Sequence, residues 1–384
     1  MEFPIYLDNN ATTQVDSEVL DAMLPYFKNK FGNASSKSHK YGWEAAEAVE
    51  LARKKVAHII GAQPGEIIFT SGTTESINLS HKGLLESFQG KKNHIITSKI
   101  EHSAVLDTCK YLSRYGVEIT YLDVDKFGFL NPDDVSNSIK ENTMLVSIMM
   151  ANNEVGTIQP IGEIGNICKE KNIFFHTDAA QAIGKIPVNI NELNVDLMSF
   201  SAHKIYGPKG IGALFIKNKN PEIKLTEQIN GGGHENGFRS GTLNVPAIVG
   251  FGKACEICEK KIYKEFVDLI IFRDRFINNI LQKAEGASLN GHSTKRLPNN
   301  INICFNNIDS VVLMSEIEEL AFSAGSACTS ADLKPSHVLK AMGLSDANSR
   351  SSVRFGLGRF TTNEEVEFSI NKIVNTVEKI RKLS

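Results

Sequence analysis

The residues best suited to chemistry in this chain are a lysine at the end of a strand and a thiol in a run of small residues. In Ser199-Phe200-Ser201-Ala202-His203-Lys204-Ile205-Tyr206-Gly207-Pro208-Lys209-Gly210, an apolar strand runs into a polar turn closed by glycines. Sheets of α/β proteins bind ligands at the carboxyl ends of their strands, and a lysine there can bind a phosphate or form a Schiff base with an aldehyde cofactor. A lone lysine is more often a solvated surface group, so the neighbouring motifs carry the decision. Phe174-Phe175-His176-Thr177-Asp178-Ala179-Ala180-Gln181 delivers an aspartate at a strand end. A carboxylate there would keep a pyridine nitrogen protonated and the ring an electron sink, although Asp178 alone reads equally well as a helix N-cap.

Three further motifs have the same strand-then-polar-turn form. Phe69-Thr70-Ser71-Gly72-Thr73-Thr74-Glu75-Ser76 turns from strand to helix, and the N–H groups of such a helix start cradle phosphate; it lacks the lysine and spacing of a P-loop. His102, in Ser98-Lys99-Ile100-Glu101-His102-Ser103, can stack on an aromatic cofactor or move protons, although most lone histidines do neither. Ser323-Ala324-Gly325-Ser326-Ala327-Cys328-Thr329-Ser330 holds one thiol among small residues, which suit an exposed loop better than a packed core. An accessible thiol near a cation ionises below its usual pKa of about 8.5.

Other features are read as structural. Cys255 and Cys258 have the spacing of a metal or redox pair, but no second pair accompanies them and they lie in helical sequence. Cys109 and Cys168 sit at helical core spacing, and no metal site is expected beyond a transient contact of Cys328 with a cluster. His234, after Gly231-Gly232-Gly233, and Arg239, in Arg239-Ser240-Gly241-Thr242, mark a glycine loop of the kind that closes a site or reaches a neighbouring subunit.

These motifs need a scaffold, and the sequence supplies one. Short β-rich runs alternate with amphipathic stretches from about residue 66 to 216, the pattern of crossover units on a mainly parallel sheet. The spacing predicts seven strands: Ile67–Phe69, His94–Ser98, Glu118–Tyr121, Leu145–Met149, Ile173–Thr177, Leu197–Ser199 and Gly212–Ile216. Helices are predicted from Ser103 to Arg114, from Ile161 to Lys171, and after an Asp16 N-cap with Val19, Leu20, Met23, Leu24 and Phe27 on one face. Pro246 to about Lys283 reads as a long helix linking two domains. Beyond Ser288 come strands near Ile301–Phe305 and Val353–Phe355, a helix near Ser310–Leu320 and a closing helix from Glu364. The predicted division is a large domain over residues 15–252, with residues 1–14 and 253–384 forming a smaller α+β domain that carries the Cys328 loop.

The bulk properties narrow the class. With 384 residues, 41% hydrophobic, 22% charged and a formal net charge of −2, the chain has the make-up of an ordinary α/β enzyme and no basic field for nucleic acid. Its most apolar segment, Met144 to Ala151, is far short of the roughly 20 residues that cross a bilayer. The first residues lack an export signal, and six cysteines without framework spacing suit a reducing compartment, so the cytoplasm is the expected location.

Taken in order, these motifs make the chain resemble the cysteine desulfurases of iron–sulfur cluster assembly, nitrogen-fixation and housekeeping types, within the class V aminotransferases. The resemblance runs nearly end to end. It includes Tyr6-Leu7-Asp8-Asn9-Asn10-Ala11-Thr12-Thr13, Asn152-Asn153-Glu154-Val155-Gly156, Ser201-Ala202-His203-Lys204, the Cys328 run and Arg354-Phe355-Gly356-Leu357-Gly358-Arg359-Phe360. It implies a homodimer of the pyridoxal-phosphate-dependent fold type I, with the cofactor between a large domain built on a mainly parallel seven-stranded sheet and the smaller α+β domain. Lys204 would hold the cofactor covalently, Asp178 pair with its ring nitrogen, His102 stack on the ring and Gln181 bond the phenolic oxygen. Thr74, Ser201 and His203 would hold the phosphate, with Thr242 arriving from the other subunit. Asn153 and Arg354 would position L-cysteine, the arginine as a fork on its carboxylate. Cys328 would take the sulfur as a persulfide, leaving L-alanine, and pass it to a scaffold or another acceptor for cluster, thio-cofactor or tRNA synthesis.

The resemblance has two departures. Gly32-Asn33-Ala34-Ser35-Ser36 stands where the family commonly has Asn-Pro, and the chain ends at Ser384, where housekeeping members carry a longer tail that docks the scaffold. Two other activities compete: a selenocysteine lyase or related aminotransferase, and an inactive scaffold. A plain aminotransferase has no use for Cys328, and an inactive protein would be expected to lack Lys204, Asp178 or Cys328.

Overall fold

The computed structural model describes residues 2–88, 90–219, 222–324 and 335–383. All seven predicted strands form, and they make one sheet. Its strands are β2 (Ile67–Thr70), β3 (His94–Ser98), β4 (Glu118–Leu122), β5 (Thr143–Ser147), β6 (Phe174–Asp178), β7 (Leu197–Ser201) and β8 (Gly212–Ile216), after a short β1 (Ile5–Tyr6) that belongs elsewhere. The spatial order is β2-β8-β7-β6-β5-β3-β4. Neighbours run parallel from β4 through β7, and only β8 runs against the rest, pairing antiparallel with both β7 and β2.

Five of these strands are buried along their whole length, which is why they read as continuous apolar runs rather than alternating ones. Successive side chains leave on opposite faces. Ile67, Phe69, Ile96, Met198 and Phe200 enter one layer of core, while Ile68, Ile95 and Leu197 enter the other. β5 begins two residues before its predicted start, at Thr143, which pairs with His94. Its predicted end at Met149 survives as main-chain bonding to β6, Ile148 N–H to His176 O and Met150 N–H to Asp178 O.

The helix Val245–Lys283 joins two cores. Val245, Phe251 and Cys258 lie in the core of the large sheet, whereas Leu269, Phe276 and Ile280 pack with Ile301, Phe305, Phe355 and the helix Asn363–Leu383. That second core rests on an antiparallel sheet of β9 (Ala287–Leu289), β10 (Asn300–Phe305) and β12 (Ser352–Gly356) in the order β12-β10-β9. The chain's start crosses to it: β1 pairs in parallel with β11 (Leu320–Ala321).

Two local expectations are corrected. The helix after Ser310 stops at Ser315, because Leu320 and Ala321 are taken up as β11. The helix Ser17–Lys28 is capped by Asp16 as predicted, but only Val19 and Met23 are buried; Leu20, Leu24 and Phe27 face outward. Among the described residues, no helix is long and apolar enough to cross a membrane.

Candidate active site

The carboxyl ends of β2, β6 and β7 converge because Gly212 pairs with both Thr70 and Ser201, and Asp178 pairs with Ser199. A cavity of about 480 Å³ opens beside them. Of the predicted site residues, Lys204, Asp178, Gln181, His102, Thr74, His203, Asn153 and Arg354 line it. Ser201 sits at the end of β7, buried and outside the cavity lining. Thr242 is exposed and outside the lining of its own chain's cavity. Cys328 lies outside the described residues.

Lys204 ends a single turn of 3₁₀ helix after β7. Its Nζ donates to the carbonyls of Asn10, at 2.6 Å, and Ala11, at 2.7 Å. Gln181 Nε2 donates to the same Asn10 carbonyl at 2.9 Å, and its Oε1 accepts from Asn10 Nδ2 at 3.2 Å. The amino-terminal segment thus forms one wall of the cavity.

Asp178 accepts the N–H of Ala180 at 2.9 Å. Burial pushes its carboxyl above the usual range, while His102, the Ala180 N–H and Lys204 pull the other way. His102 caps the helix Ser103–Ser113, its Nδ1 accepting the Ala104 N–H at 3.1 Å. That bond places the proton of the neutral ring on Nε2, a tautomer assigned from the hydrogen-bond network.

At the opposite end the helix Thr73–Phe88 begins, and its first N–H groups have no partner within the helix. Gly212 makes the close approach of this turn to the sheet possible: a Cβ there would come within 2.6 Å of the Gly72 Cα. His203 Nδ1 meets Thr12 Oγ1 at 3.1 Å. Burial, reinforced by Lys204, Lys209 and Lys185, brings the imidazole down to about 4.

The third end is set by Arg354 on β12. Its Nη2 donates to Asp8 Oδ1 at 2.8 Å and its Nη1 to the Asn153 carbonyl at 3.0 Å. The fork expected to grip a substrate carboxylate is therefore already held by Asp8 in this state, and the buried Nε–H has no partner among the described residues. Ser323 joins the same group, exchanging main-chain bonds with Arg354 at 2.7 and 3.2 Å and donating its hydroxyl to Asp8. The Cys328 run therefore leaves the described structure within a few residues of the Arg354 backbone.

A fold type I cofactor fits this lining. Asn10 Oδ1, Thr73 Oγ1 and Arg354 Nε line or border the cavity as buried polar atoms without partners among the described residues, and Ser201 Oγ is a fourth close by. Such groups are costly to leave unmade and mark where a polar ligand belongs.

Sequence reasoning missed several contributors. Glu75 lines the cavity, accepts the Ser71 N–H at 2.8 Å and pairs with Arg239 Nε at 2.8 Å, and Arg239 holds its carboxyl below the usual range against the effect of burial. A glutamate three residues after the helix cap is the available signal. Asp8 and Asn10 had no local signal, since their partners Arg354 and Gln181 lie 346 and 171 residues away.

The chain resembles known proteins over its whole length. Residues 5–368 match the model of the family described as aminotransferase class-V. The cysteine desulfurase IscS of Rickettsia massiliae is 50% identical over 384 residues, covering 100% of this chain and 93% of that protein. Rickettsia typhi has a cysteine desulfurase IscS with the same identity and coverage. Among solved structures, a NifS-like protein superposes with a TM-score of 0.91 at 40% identity, covering 98% of this chain and 99% of that one. SspA in complex with cysteine superposes at 0.82 with 37% identity, covering 93% and 99%.

Proposed function

The chain belongs to the class-V aminotransferase family and is a cysteine desulfurase, and from that premise we propose how its residues carry the reaction. The observation that carries the proposal is the convergence of Lys204, Asp178 and Arg354, from three separate strands or strand ends, on one cavity. Pyridoxal 5'-phosphate, when bound, supplies an electron sink conjugated to the α-carbon of the substrate.

Lys204 would hold the cofactor, and its amine, when free, would move the α-proton of the substrate; the Asn10 and Ala11 carbonyls give that amine a resting place. Asp178 would keep the ring nitrogen protonated, helped by a burial that makes its charge costly unless a cation pairs with it. His102 would lie against the ring, and Gln181, oriented by Asn10, would bond the phenolic oxygen. Thr74, Ser201 and His203 take the phosphate. Thr242, exposed in its own chain and outside that chain's cavity lining, would serve the phosphate of a second copy in a homodimer.

Arg354 and Asn153 orient the carboxylate of L-cysteine, with Asp8 exchanged or shared as the substrate arrives. The Cys328 thiolate attacks the substrate sulfur; the Cβ–Sγ bond breaks, its electron pair stays on the β-carbon and that carbon takes a proton. The products are L-alanine and a persulfide on Cys328, which an acceptor protein of cluster or thio-cofactor synthesis in the cytoplasm then consumes. The deciding experiment records the visible spectrum of reconstituted protein before and after L-cysteine, with alanine and sulfide assayed together. A spectral shift with both products is expected, and a shift without sulfide would move the assignment to another amino acid.

A further inference from the structure

A second arginine, on the loop that leaves β12, is bonded on every side. Arg359 donates from Nη1 to Asp16 Oδ2 at 2.9 Å and from Nε to Glu265 Oε1 at 2.6 Å, and its side chain is 5% exposed. Its guanidinium lies 4.1 Å from the centroid of the Tyr206 ring, and its main-chain N–H donates to the Tyr206 hydroxyl at 2.5 Å.

Tyr206 is no ordinary partner for it. Tyr206 stands two residues after Lys204 and holds φ at +65°, a left-handed backbone that a bulky aromatic residue adopts only when its surroundings impose it. The surroundings do so. Its carbonyl accepts the Asp16 N–H at 3.0 Å, and its N–H donates to Thr13 Oγ1 at 2.8 Å; that hydroxyl in turn donates to the His203 carbonyl at 3.0 Å. The Gly207 N–H closes the turn on the Ala202 carbonyl at 2.9 Å, and Lys185 Nζ ties the Lys204 carbonyl at 2.8 Å. The Lys204 main chain is therefore fixed from behind, and the parts of that frame that come from beyond residue 350 are Arg359 and the ring of Phe360, edge-on to Tyr206 at 5.6 Å between centroids.

Arg354 and Arg359 share one short stretch. Gly356 N–H bonds the Leu7 carbonyl at 2.6 Å, Leu357 N–H the Asn299 carbonyl at 2.9 Å and Gly358 N–H the Thr361 hydroxyl at 2.9 Å, so the stretch has little freedom to flex between the two arginines. We propose that Arg359 and Tyr206 form a clasp by which the strand bearing Arg354 positions Lys204, so that seating a substrate carboxylate and placing the lysine amine are one mechanical event. Both are positioning residues, since neither lines the cavity. The proposal rests on the roles given to Lys204 and Arg354 above.

The test reads the circular dichroism of the visible cofactor band in wild type, R359K, R359Q and Y206F, each reconstituted with pyridoxal phosphate, together with kcat and KM for L-cysteine. A clasp requires R359Q to change the dichroism about twofold or more and to lower kcat about tenfold while KM stays within about twofold. R359K keeps a charge but not the planar fork, and falls between. Y206F loses only the hydroxyl that accepts the Arg359 N–H; it moves both readouts the same way by less, and decides the matter if R359Q does not fold. Dichroism and kcat within about 1.5-fold of wild type, or a rise in KM alone, overturn the clasp. Wild-type protein that makes no alanine would instead refute the desulfurase roles, and the dichroism comparison would still be readable.

Discussion

Lys204 and Asn10 are joined by a 2.6 Å hydrogen bond across 194 residues of chain, from the lysine ammonium to a main-chain carbonyl. The acceptor is part of the backbone, so no side-chain substitution at residue 10 removes it, and Gln181 keeps the same carbonyl bonded when the lysine is gone.

Lys204→Ala is therefore expected to fold normally and to lose turnover by about 10³-fold or more, since the amine assigned to holding the cofactor and moving the α-proton is gone. The urea midpoint and the stable visible band of cofactor-treated protein are the readouts. A variant that keeps both band and turnover would remove Lys204 from its role.

Arg354→Lys separates charge from geometry. A lysine restores one contact to Asp8 but not the fork, so KM for L-cysteine should rise about 10- to 100-fold. Arg354→Ala leaves the Asp8 carboxylate without its cation, bonded only by the Ser323 hydroxyl, and should lose about 3 kcal/mol in urea unfolding. Unchanged KM in Arg354→Lys would take the substrate carboxylate elsewhere.

Cys328→Ser should bind cofactor and L-cysteine, seen as an unimpaired spectral shift, and release no sulfide above background. Sulfide at the wild-type rate would show that another group attacks the sulfur.

Glu101 predicts a pH dependence. It is fully buried, its Oε1 accepts from the Ser98 hydroxyl at 2.6 Å and the Met149 N–H at 3.0 Å, and its Oε2 has no partner among the described residues. Burial raises its carboxyl to about 8, so the folded protein keeps a proton that the unfolded chain gives up near the ordinary value of 4.5. Because the folded state binds more protons between these values, stability falls as pH rises from about 4.5 to about 8. Glu101→Gln, neutral throughout, should lack that decline, and urea midpoints at acid, neutral and alkaline pH compare the two. Parallel pH profiles would mean that Glu101 is ionised in the fold.

What was legible in the sequence is what is local. Lys204, Asp178 and His102 each follow an apolar run, and buried parallel strands announce themselves by such runs. What was not legible depends on partners far along the chain. Nothing near Asp8 signals Arg354, and nothing near Tyr206 signals Arg359, whose main chain reaches it from 153 residues away. Periodicity also reports that a helix has an apolar face without saying what covers it: Leu20, Leu24 and Phe27 lie where the pattern puts them and stay exposed in the single chain.

The crossing of the chain's first residues to β11 and β12 sets a timetable for synthesis. Asp8 leaves the ribosome well before its partners Ser323 and Arg354, contacts separated by 315 and 346 residues. At roughly 10 residues per second the wait is on the order of half a minute. Until the segment bearing Arg354 emerges, the wall against which Lys204 rests lacks its anchor, and a nascent chain with its large sheet already folded still has an incomplete pocket.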